Sequence, residues 1–274
     1  MREQAFDWFR GFLEKKSGII ITPDKKYLIQ SRLQPLLRSH AISDLNKLVD
    51  YVRQSEDSPV ATAAIDAMTT NETLFFRDQY PYEALSDMIF PELLKQGRST
   101  IKVWSCAASK GQEAYSIAMV ASESLPQGQR MVKILGTDLS TEAIAYAKAG
   151  VYSEVEVKRG LPARRLERFF HYDDKAKDWR VSSALKSMVD FQTGNLTDDG
   201  VVTQVKRHGP FDVVFLRNVL IYFTTEERKK VVDRVAKTMR KGGYLITGMA
   251  EIPSGNESRW ESVFFKGKRL WKLV

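Results

Sequence analysis

The chain has 274 residues, 43% of them hydrophobic, so it can bury one large core or two smaller ones. It contains no run of about 18 apolar residues and no apolar signal segment at its N-terminus, so we expect a cytoplasmic protein with no membrane insertion. A single cysteine, Cys106, excludes an internal disulfide, and the three histidines are too scattered to suggest a metal site, so no metal is expected. No histidine is placed to activate Cys106, which favours a packing role over a nucleophilic one.

The formal net charge of +8 is compatible with an acidic partner or with nucleic acid. Residues 15–38 contain six basic side chains against one acid, Asp24, although residues 1–70 taken together are close to neutral. This basic stripe is either a solvated helix face or a docking surface for an acidic partner. No block of basic residues interleaved with aromatic ones marks a nucleic-acid module, so no nucleic acid is expected. The six bases are Lys15, Lys16, Lys25, Lys26, Arg32 and Arg38.

The first 70 residues predict a small all-helical domain. Apolar residues recur at three- and four-residue spacing over 4–16, and Ser17-Gly18 ends that helix. Three more helices are predicted, from about 24, after Ser43, and over about 59–68. Four short helices with short links form a small bundle, for which we expect an interaction role.

The segment 69–77 then interrupts the helical pattern with Thr, Asn, Glu and Arg side chains. It is interpreted as a capped linker or as a functional loop between two domains. A helix over 82–96 is predicted to lead into the first strand of a second domain.

The second domain is organised around two neighbouring strands. Residues 101–105 predict a strand, 106–111 a tight turn of small residues, and the following segment a helix. Residues 132–136 predict the next strand, which ends at Asp138, where nucleotide-binding folds place an acid that accepts hydrogen bonds from ribose hydroxyls. Only Gly111 remains of a glycine-rich turn, so a pyrophosphate loop is not expected. The pattern favours S-adenosylmethionine over NAD, with a plain packing turn as the alternative.

The remaining chain alternates strands and helices. Strands are predicted over 188–191, 211–216 and 244–249, and helices over 141–149 and from Thr224-Thr225 to Met239. A hairpin inserted within about 162–190 and a terminal hairpin over 263–274 complete the pattern. Polar residues follow four strands and are expected to face one crevice, which favours an enzyme. They are Ser105, Asp138, Asn195 and Asn218.

Five segments in order, 69–77, 103–116, 136–138, 194–196 and 211–223, closely resemble the CheR family of chemoreceptor glutamate O-methyltransferases, which depend on S-adenosyl-L-methionine. The resemblance covers nearly the whole chain. It implies an α/β fold, with a doubly wound, mostly parallel, Rossmann-like methyltransferase sheet, a terminal antiparallel hairpin and a small inserted β-subdomain, preceded by a small all-helical domain. It implies a helical domain over 1–70 and a methyltransferase domain over 71–274, with the β-subdomain at about 162–190.

The resemblance also implies site residues by position. Arg77 and Tyr222 are the positions expected beside the reacting methyl group, where Arg77 would orient a carboxylate and Tyr222 would shape the pocket. The chain departs from the usual pattern at Lys110, Gln112 and Ala114, whereas Glu113 is retained. The expected cofactor contacts are Asn71, Thr73, Arg77, Glu113, Asp138, Asn195, Leu196, Leu216 and Arg217, with Asn218 beside them.

By the same resemblance, the activity is methyl transfer to glutamate carboxylates of chemoreceptors, with S-adenosyl-L-homocysteine as the product. The receptor's helical cytoplasmic bundle would be docked by Lys25, Lys26, Arg32 and Arg38, and a monomer is expected. In the family the β-subdomain can bind a receptor's C-terminal peptide, but the short loop 171–178, which lacks glycine, argues against that here. Three alternatives stay open: a methyltransferase for another acceptor such as RNA or a small acid, a non-catalytic adaptor, and, least favoured, an NAD-dependent oxidoreductase.

Overall fold

The computed structural model describes residues 1–255 and 257–274. These residues form two compact units. The first contains residues 1–70 together with 222–227, and the second contains residues 71–221 and 228–274. The short segment 222–227 groups with the helical unit, which the predicted boundary at residue 70 did not anticipate.

The first unit contains the four helices that the apolar spacing predicts. Its core is a cluster of fully buried aromatic and aliphatic side chains that includes Phe6, Phe9 and Leu33. Gly18, at φ 70°, ends the first helix in the left-handed conformation that glycine tolerates best. The helices are α1 (Glu3–Ser17), α2 (Lys26–Ser39), α3 (Leu45–Gln54) and α4 (Pro59–Met68), and a 3₁₀ turn, Pro23–Lys25, precedes α2.

The second unit begins with α5 (Tyr80–Ala84), a π-helical segment (Leu85–Ile89) and α6 (Phe90–Lys95), where one continuous helix was predicted. The remaining helices are α7 (Gln112–Ser124), α8 (Gly128–Met131), α9 (Thr141–Ala149), α10 (Glu154–Lys158), α11 (Ala163–Phe169), α12 (Ser183–Lys186), α13 (Gly200–Lys206) and α14 (Thr225–Ala236). The strands are β1 (Ile101–Cys106), β2 (Val132–Asp138), β3 (Val151–Ser153), β4 (Phe170–Asp173), β5 (Asp178–Val181), β6 (Val189–Thr193), β7 (Phe211–Leu216), β8 (Met239–Thr247), β9 (Trp260–Phe265) and β10 (Lys268–Leu273).

Seven strands form the main sheet in the order β6-β2-β1-β7-β8-β10-β9. The first five run parallel, whereas β10 pairs antiparallel with β8 and β9 pairs antiparallel with β10. The central strand β7 is buried along its whole length, as expected for a parallel strand covered on both faces. The predicted doubly wound, mostly parallel sheet with a terminal antiparallel hairpin is therefore confirmed.

The inserted β-subdomain differs from its predicted bounds of about 162–190. Its sheet has three strands in the order β3-β5-β4, so it begins at Val151, and residues from Val189 onward belong to the main sheet. The short strand β3 was missed because three residues carry too little alternation to detect. Residues 166–169, predicted as part of the hairpin, complete α11 instead.

A second correction concerns Met239, which was predicted on the inner face of a helix. The helix α14 ends at Ala236, and Met239 pairs with Phe211 as the first residue of β8. The pairing of β8 with β7 is irregular near Gly242, which has φ 76°. Because a β-bulge forms at this glycine, β8 begins on the N-terminal side of the residues that, in the sequence, resemble the end of a helix. No helix in the described ranges is long and apolar enough to span a membrane.

Candidate active site

The site is built at the carboxyl edge of the parallel strands. The loop after β1, the acid that ends β2 and the residues that follow β6, β7 and β8 all lie at this edge, because these five strands point the same way. In open α/β sheets, ligands bind outside these strand ends.

In the turn after β1, the backbone rather than the side chains is shaped to face a ligand. Ala107, Ser109 and Gly111 all have positive φ, at 59°, 50° and 92°, so the chain turns sharply before α7 begins. The N–H of Ala108 donates to the Thr137 carbonyl at 2.8 Å, which ties this turn to β2. Such strained, tightly held loops are typical of functional sites.

Asp138 locks the same turn from the end of β2. Its Oδ2 accepts from the N–H of Ser109 at 2.7 Å, and its Oδ1 accepts from the N–H of Ser140 at 2.9 Å. The residue is 7% exposed, and the N–H of Gly194 donates to its carbonyl at 2.8 Å. The Asp138 carboxylate thus lies where β1, β2 and the segment after β6 meet, in a fixed orientation.

A buried ionic network joins α7 to β7. The Arg217 side chain is 1% exposed and donates to the Glu113 carboxylate at 2.8 Å and to the Asp78 carboxylate at 2.7 Å. Ser105, at the end of β1, donates its hydroxyl to the other Glu113 oxygen at 2.8 Å. Burial alone would lower the pKa of Arg217, but Glu113 and Asp78 together raise it above its ordinary value. The guanidinium is therefore a permanent charge used to organise the site.

The loop 71–79 is part of the second unit and not a detached linker. Phe75 is fully buried, with its ring 5.1 Å from the Tyr152 ring. The backbone carbonyl of Asn71 accepts from the Ser109 hydroxyl at 2.9 Å, and that of Arg77 accepts from Arg217 at 3.0 Å. The loop is thus fastened to both halves of the sheet edge, with Arg77 half-buried.

Backbone strain is concentrated around Arg77. Phe76, Asp78 and Gln79 have φ values of 53°, 67° and 45°, a conformation that side-chain-bearing residues rarely adopt. Such strain persists only where the surrounding contacts fix it, as Arg217 does here through Asp78.

The residues after β6 form a tight polar turn. Asn195 Oδ1 accepts from the N–H of Thr197 at 3.0 Å and from its hydroxyl at 2.8 Å. Leu196 is 8% exposed, and its carbonyl accepts from Arg234 at 3.4 Å. Thr73, predicted at the site, is half-buried in the loop 71–79, and Leu216 is fully buried at the end of β7.

Comparison with known proteins adds the family. Residues 71–268 match the CheR methyltransferase SAM-binding domain, and residues 4–69 match the CheR methyltransferase all-alpha domain. The chain is 41% identical over 263 residues to chemotaxis protein methyltransferase 1 of Pseudomonas aeruginosa, covering 94% of this chain and 93% of that one. The chain belongs to the CheR methyltransferase family.

Other relatives agree over similar lengths. A chemotaxis protein methyltransferase of Vibrio parahaemolyticus is 38% identical over 276 residues, covering 99% of this chain and 97% of that one. The Escherichia coli chemotaxis protein methyltransferase is 31% identical over 261 residues, covering 94% and 87% of the two chains.

The cofactor of this CheR domain is S-adenosyl-L-methionine, and the residues at the sheet edge suit it. A nucleoside needs an acceptor for its ribose hydroxyls, and Asp138 is a buried, oriented carboxylate in the expected place. The cofactor has no pyrophosphate, and the turn after β1 has one glycine and no cradle for one. Glu113 adds a buried carboxylate at the same edge, held by Ser105 and Arg217.

Tyr222, predicted at the site, and Cys106, predicted as a packing residue, do not take part in these contacts. Tyr222 ends a 3₁₀ turn, Leu220–Tyr222, and groups with the helical unit, so its role beside the methyl group stays a prediction. Cys106 is 1% exposed at the end of β1, and burial, with a contribution from Glu113, raises its pKa well above the usual range. A buried, protonated thiol is a poor nucleophile, which agrees with the predicted packing role.

Sequence reasoning missed two acids of this CheR site. Asp78 shares Arg217 with Glu113, and Glu251 accepts from the N–H groups of Asn218 at 2.7 Å and Gly248 at 2.8 Å. Asn218 has φ 57°, so Glu251 fixes a left-handed residue at the end of β7. Glu251 lies four residues beyond the end of β8, in an irregular segment, so no strand-end pattern in the sequence indicated it.

Proposed function

We propose that this CheR family member transfers the methyl group of S-adenosyl-L-methionine to glutamate side-chain carboxylates of chemoreceptors, forming methyl esters. The observation that supports this best is the hydrogen-bonded gathering of Asn71, Glu113, Asp138 and Arg217 at one sheet edge, within the region that matches the family. The names of the relatives place such enzymes in chemotaxis. The helical domain 1–70 would serve receptor docking, and 71–274 would serve catalysis.

Methyl transfer to a carboxylate requires little acid–base catalysis. When bound, the cofactor supplies an already activated methyl group on a sulfonium, and a glutamate carboxylate is ionised at neutral pH, so no general base is required. The protein's task is orientation and exclusion of water around the carboxylate. Arg77, held in a strained loop, would orient the acceptor carboxylate, and Tyr222 would donate a hydrogen bond to it; for Tyr222 the support is the family resemblance.

The remaining residues would hold the cofactor. Asp138 would accept from the ribose hydroxyls, while Asn195 and Leu196 would contact the adenine. Glu113 would meet the amino-acid end, in an orientation fixed by Ser105 and Arg217. The other proposed contacts are Asn71, Thr73, Leu216, Arg217 and Asn218. The Arg217 side chain is engaged with Glu113 and Asp78, so its part is to position these neighbours.

The proposed docking of the receptor rests on fewer free charges than the sequence indicated. Arg32 donates to the carbonyls of Met68 and Thr69, at 2.8 and 3.2 Å, which ties α2 to the end of α4. Lys26 pairs with Glu3 at 2.7 Å, and Lys15 and Lys16 pair with Glu56 and Asp57. Lys25 and Arg38 are exposed, so the electrostatic attraction of an acidic receptor would depend mostly on these two.

The test is titration of the purified protein with S-adenosyl-L-homocysteine by calorimetry, followed by labelled methyl transfer to chemoreceptor cytoplasmic fragments. Matched fragments would carry their glutamates or alanines in their place. Binding with glutamate-dependent, base-labile label supports the proposal. Binding without label points to another acceptor or an adaptor, and absence of binding removes the cofactor assignment.

Salt gives a second test of the docking. Screening weakens attraction between exposed charges, so the rate of methyl transfer at low receptor concentration should fall as salt rises. The affinity for S-adenosyl-L-homocysteine should stay flat, because Asp138 binds through buried hydrogen bonds. A transfer rate that does not respond to salt would reject the electrostatic docking and leave the chemistry in place.

A further inference from the structure

A cleft lies between the residues that follow β8 and one face of the terminal hairpin, within the second unit. We call it the hairpin cleft; its outer walls are Met249, Ile252, Phe264, Lys268, Arg269 and Trp271, and its volume is about 410 Å³. Phe264 and Arg269 are paired neighbours on β9 and β10, so their side chains share a face of the hairpin. None of the catalytic or cofactor roles proposed above uses these six residues.

The cleft exposes an unusual amount of apolar surface. Met249, Ile252 and Phe264 are 66%, 61% and 60% exposed, which places them among the five most exposed large apolar side chains of the described residues. Single exposed apolar residues are common, but three around one cleft mark an interaction site.

The same cleft carries two cationic side chains, Lys268 and Arg269. The Arg269 guanidinium lies over the Phe264 ring at 5.5 Å and the Trp271 ring at 5.3 Å. Among the side chains that the structure describes, neither Arg269 nor the exposed Lys268 has an ion-pair partner. The neighbouring Lys266, outside the cleft lining, pairs instead with Glu83 at 2.7 Å. A guanidinium held against aromatic rings beside an exposed ammonium complements an acidic ligand with apolar side chains.

The floor of the cleft is continuous with the sheet edge. Glu251 is the acidic residue among the described residues that line the cleft. Its Oε2 accepts a hydrogen bond from the N–H of Asn218, the residue that follows Arg217. Tyr80, also in the lining, donates its hydroxyl to the Thr247 carbonyl at the end of β8. A polypeptide seated in the cleft would therefore lie beside the carboxyl edge of the sheet.

We propose that the hairpin cleft binds the acidic segment of the acceptor protein that carries the glutamate to be methylated. Apolar side chains of that segment would pack on Met249, Ile252 and Phe264, while its carboxylates pair with Lys268 and Arg269. The assignment rests on the proposed function, because it takes the acceptor to be a glutamate-bearing polypeptide. It adds a specificity surface on the catalytic unit that is separate from the basic helix α2.

The first experiment measures methyl transfer against the concentration of a receptor cytoplasmic fragment. A charge-reversed variant, Lys268→Glu with Arg269→Glu, and an apolar variant, Ile252→Ser with Phe264→Ser, should each raise KM for the fragment about tenfold or more, with kcat nearly unchanged. The affinity for S-adenosyl-L-homocysteine should stay within twofold, which shows that the variants fold. Matched exposed controls are Lys133→Glu on β2 and Val155→Ser on α10.

The second experiment does not depend on turnover. A photoreactive group attached to cysteine in Ile252→Cys should cross-link to the fragment, and the same group in Val155→Cys should not. If the wild-type protein transfers methyl groups and the cleft variants behave like the controls, the assignment of the cleft is wrong and the proposed function stands. If the fragment cross-links at residue 252 but shows no glutamate-dependent methyl transfer, the cleft is supported and the proposed function is wrong. Displacement of the fragment from the cleft by RNA at equal affinity would assign the surface to polyanions and overturn the proposal.

Discussion

Asp138 and Glu251 perform the same structural task at two places on the sheet edge. Each is a buried acid, 7% exposed, that accepts one N–H from its own chain segment and one from the end of a neighbouring strand. Asp138 joins β2 to the turn after β1 through Ser109, and Glu251 joins the end of β8 to the end of β7 through Asn218.

The two acids differ in how they use their oxygens. Asp138 gives one oxygen to each N–H, whereas Glu251 Oε2 accepts both N–H groups. Glu251 Oε1 is buried and has no hydrogen-bond partner among the described residues. Asp138 lies on the side proposed for the cofactor, and Glu251 forms the floor of the cleft proposed for the acceptor. The network of Glu113 and Arg217 joins the two sides, since Glu113 follows β1 and Arg217 follows β7. One sheet edge therefore carries two separately braced regions, one proposed for the cofactor and one for the acceptor.

Removal of Arg217, which links the two sides of the sheet edge, should have the largest effect on stability. Arg217→Met keeps the volume but leaves the carboxylates of Glu113 and Asp78 without their cation. Breaking a buried pair in this way costs about 3–5 kcal/mol, so the free energy of unfolding in urea should fall by that amount. Arg217→Lys should restore little of it, because an ammonium cannot span both carboxylates as the guanidinium does.

The double variant Arg217→Met with Glu113→Gln is the matched control for that loss. It removes one uncompensated charge, so it should be more stable than Arg217→Met alone. A loss below about 1 kcal/mol in Arg217→Met would mean that the two sides are braced independently and that the ionic network is not their link.

Asp138→Ala should weaken cofactor binding. Hydrogen bonds to a charged group contribute about 1.5–3 kcal/mol, so the Kd for S-adenosyl-L-homocysteine should rise roughly 10- to 150-fold. Calorimetry measures this directly, with Asp174→Ala, an exposed acid in the turn between β4 and β5, as the control. Unchanged affinity would remove Asp138 from the cofactor site and leave it a purely structural brace.

Asp138 was predicted from the sequence and Glu251 was not, and this difference has a physical cause. Asp138 directly ends an apolar strand, and strand, turn and helix follow one another in the chain, so local pattern predicted its place. Glu251 lies beyond Thr247 in an irregular segment, and its partner Asn218 is 33 residues away. The pairing of two distant strand ends depends on sheet order, which local periodicity does not encode.

The same limit applies to the ionic network. The sequence predicted Glu113 and Arg217 as site residues through a family resemblance, but their pairing joins positions 104 residues apart, and Asp78 was not predicted at all. The regular elements were predicted well because apolar spacing is local: α4 and β7 have their predicted bounds. The short strand β3 and the bulged start of β8 were missed because pairing with another strand decides them.

Glu251→Gln should separate the acceptor side from the cofactor side. The amide has no negative charge for the two N–H donors, and its NH₂ group would lie in buried space without an acceptor. The free energy of unfolding should therefore fall by about 1–2 kcal/mol. The KM for the receptor fragment should rise while the affinity for S-adenosyl-L-homocysteine stays within twofold. A loss of cofactor affinity as large as that in Asp138→Ala would show that the two acids serve one site, and the distinction drawn between them would be wrong.

The smallest expected effect uses Cys106 as a reporter of local opening. It is the single cysteine of the chain and lies immediately before the turn that Asp138 holds, buried and with a raised pKa, so a thiol reagent should react with it only when that edge opens. Loss of the hydrogen bond from the Ser109 N–H to this carboxylate costs about 1.5 kcal/mol, the low end for a charged acceptor, so Asp138→Ala should speed the reaction about tenfold. Glu251→Gln, which acts across β7 from the turn, should leave the rate within twofold. Equal acceleration in both variants would mean that the edge opens as one cooperative piece, and the two braces would then stabilise a single region.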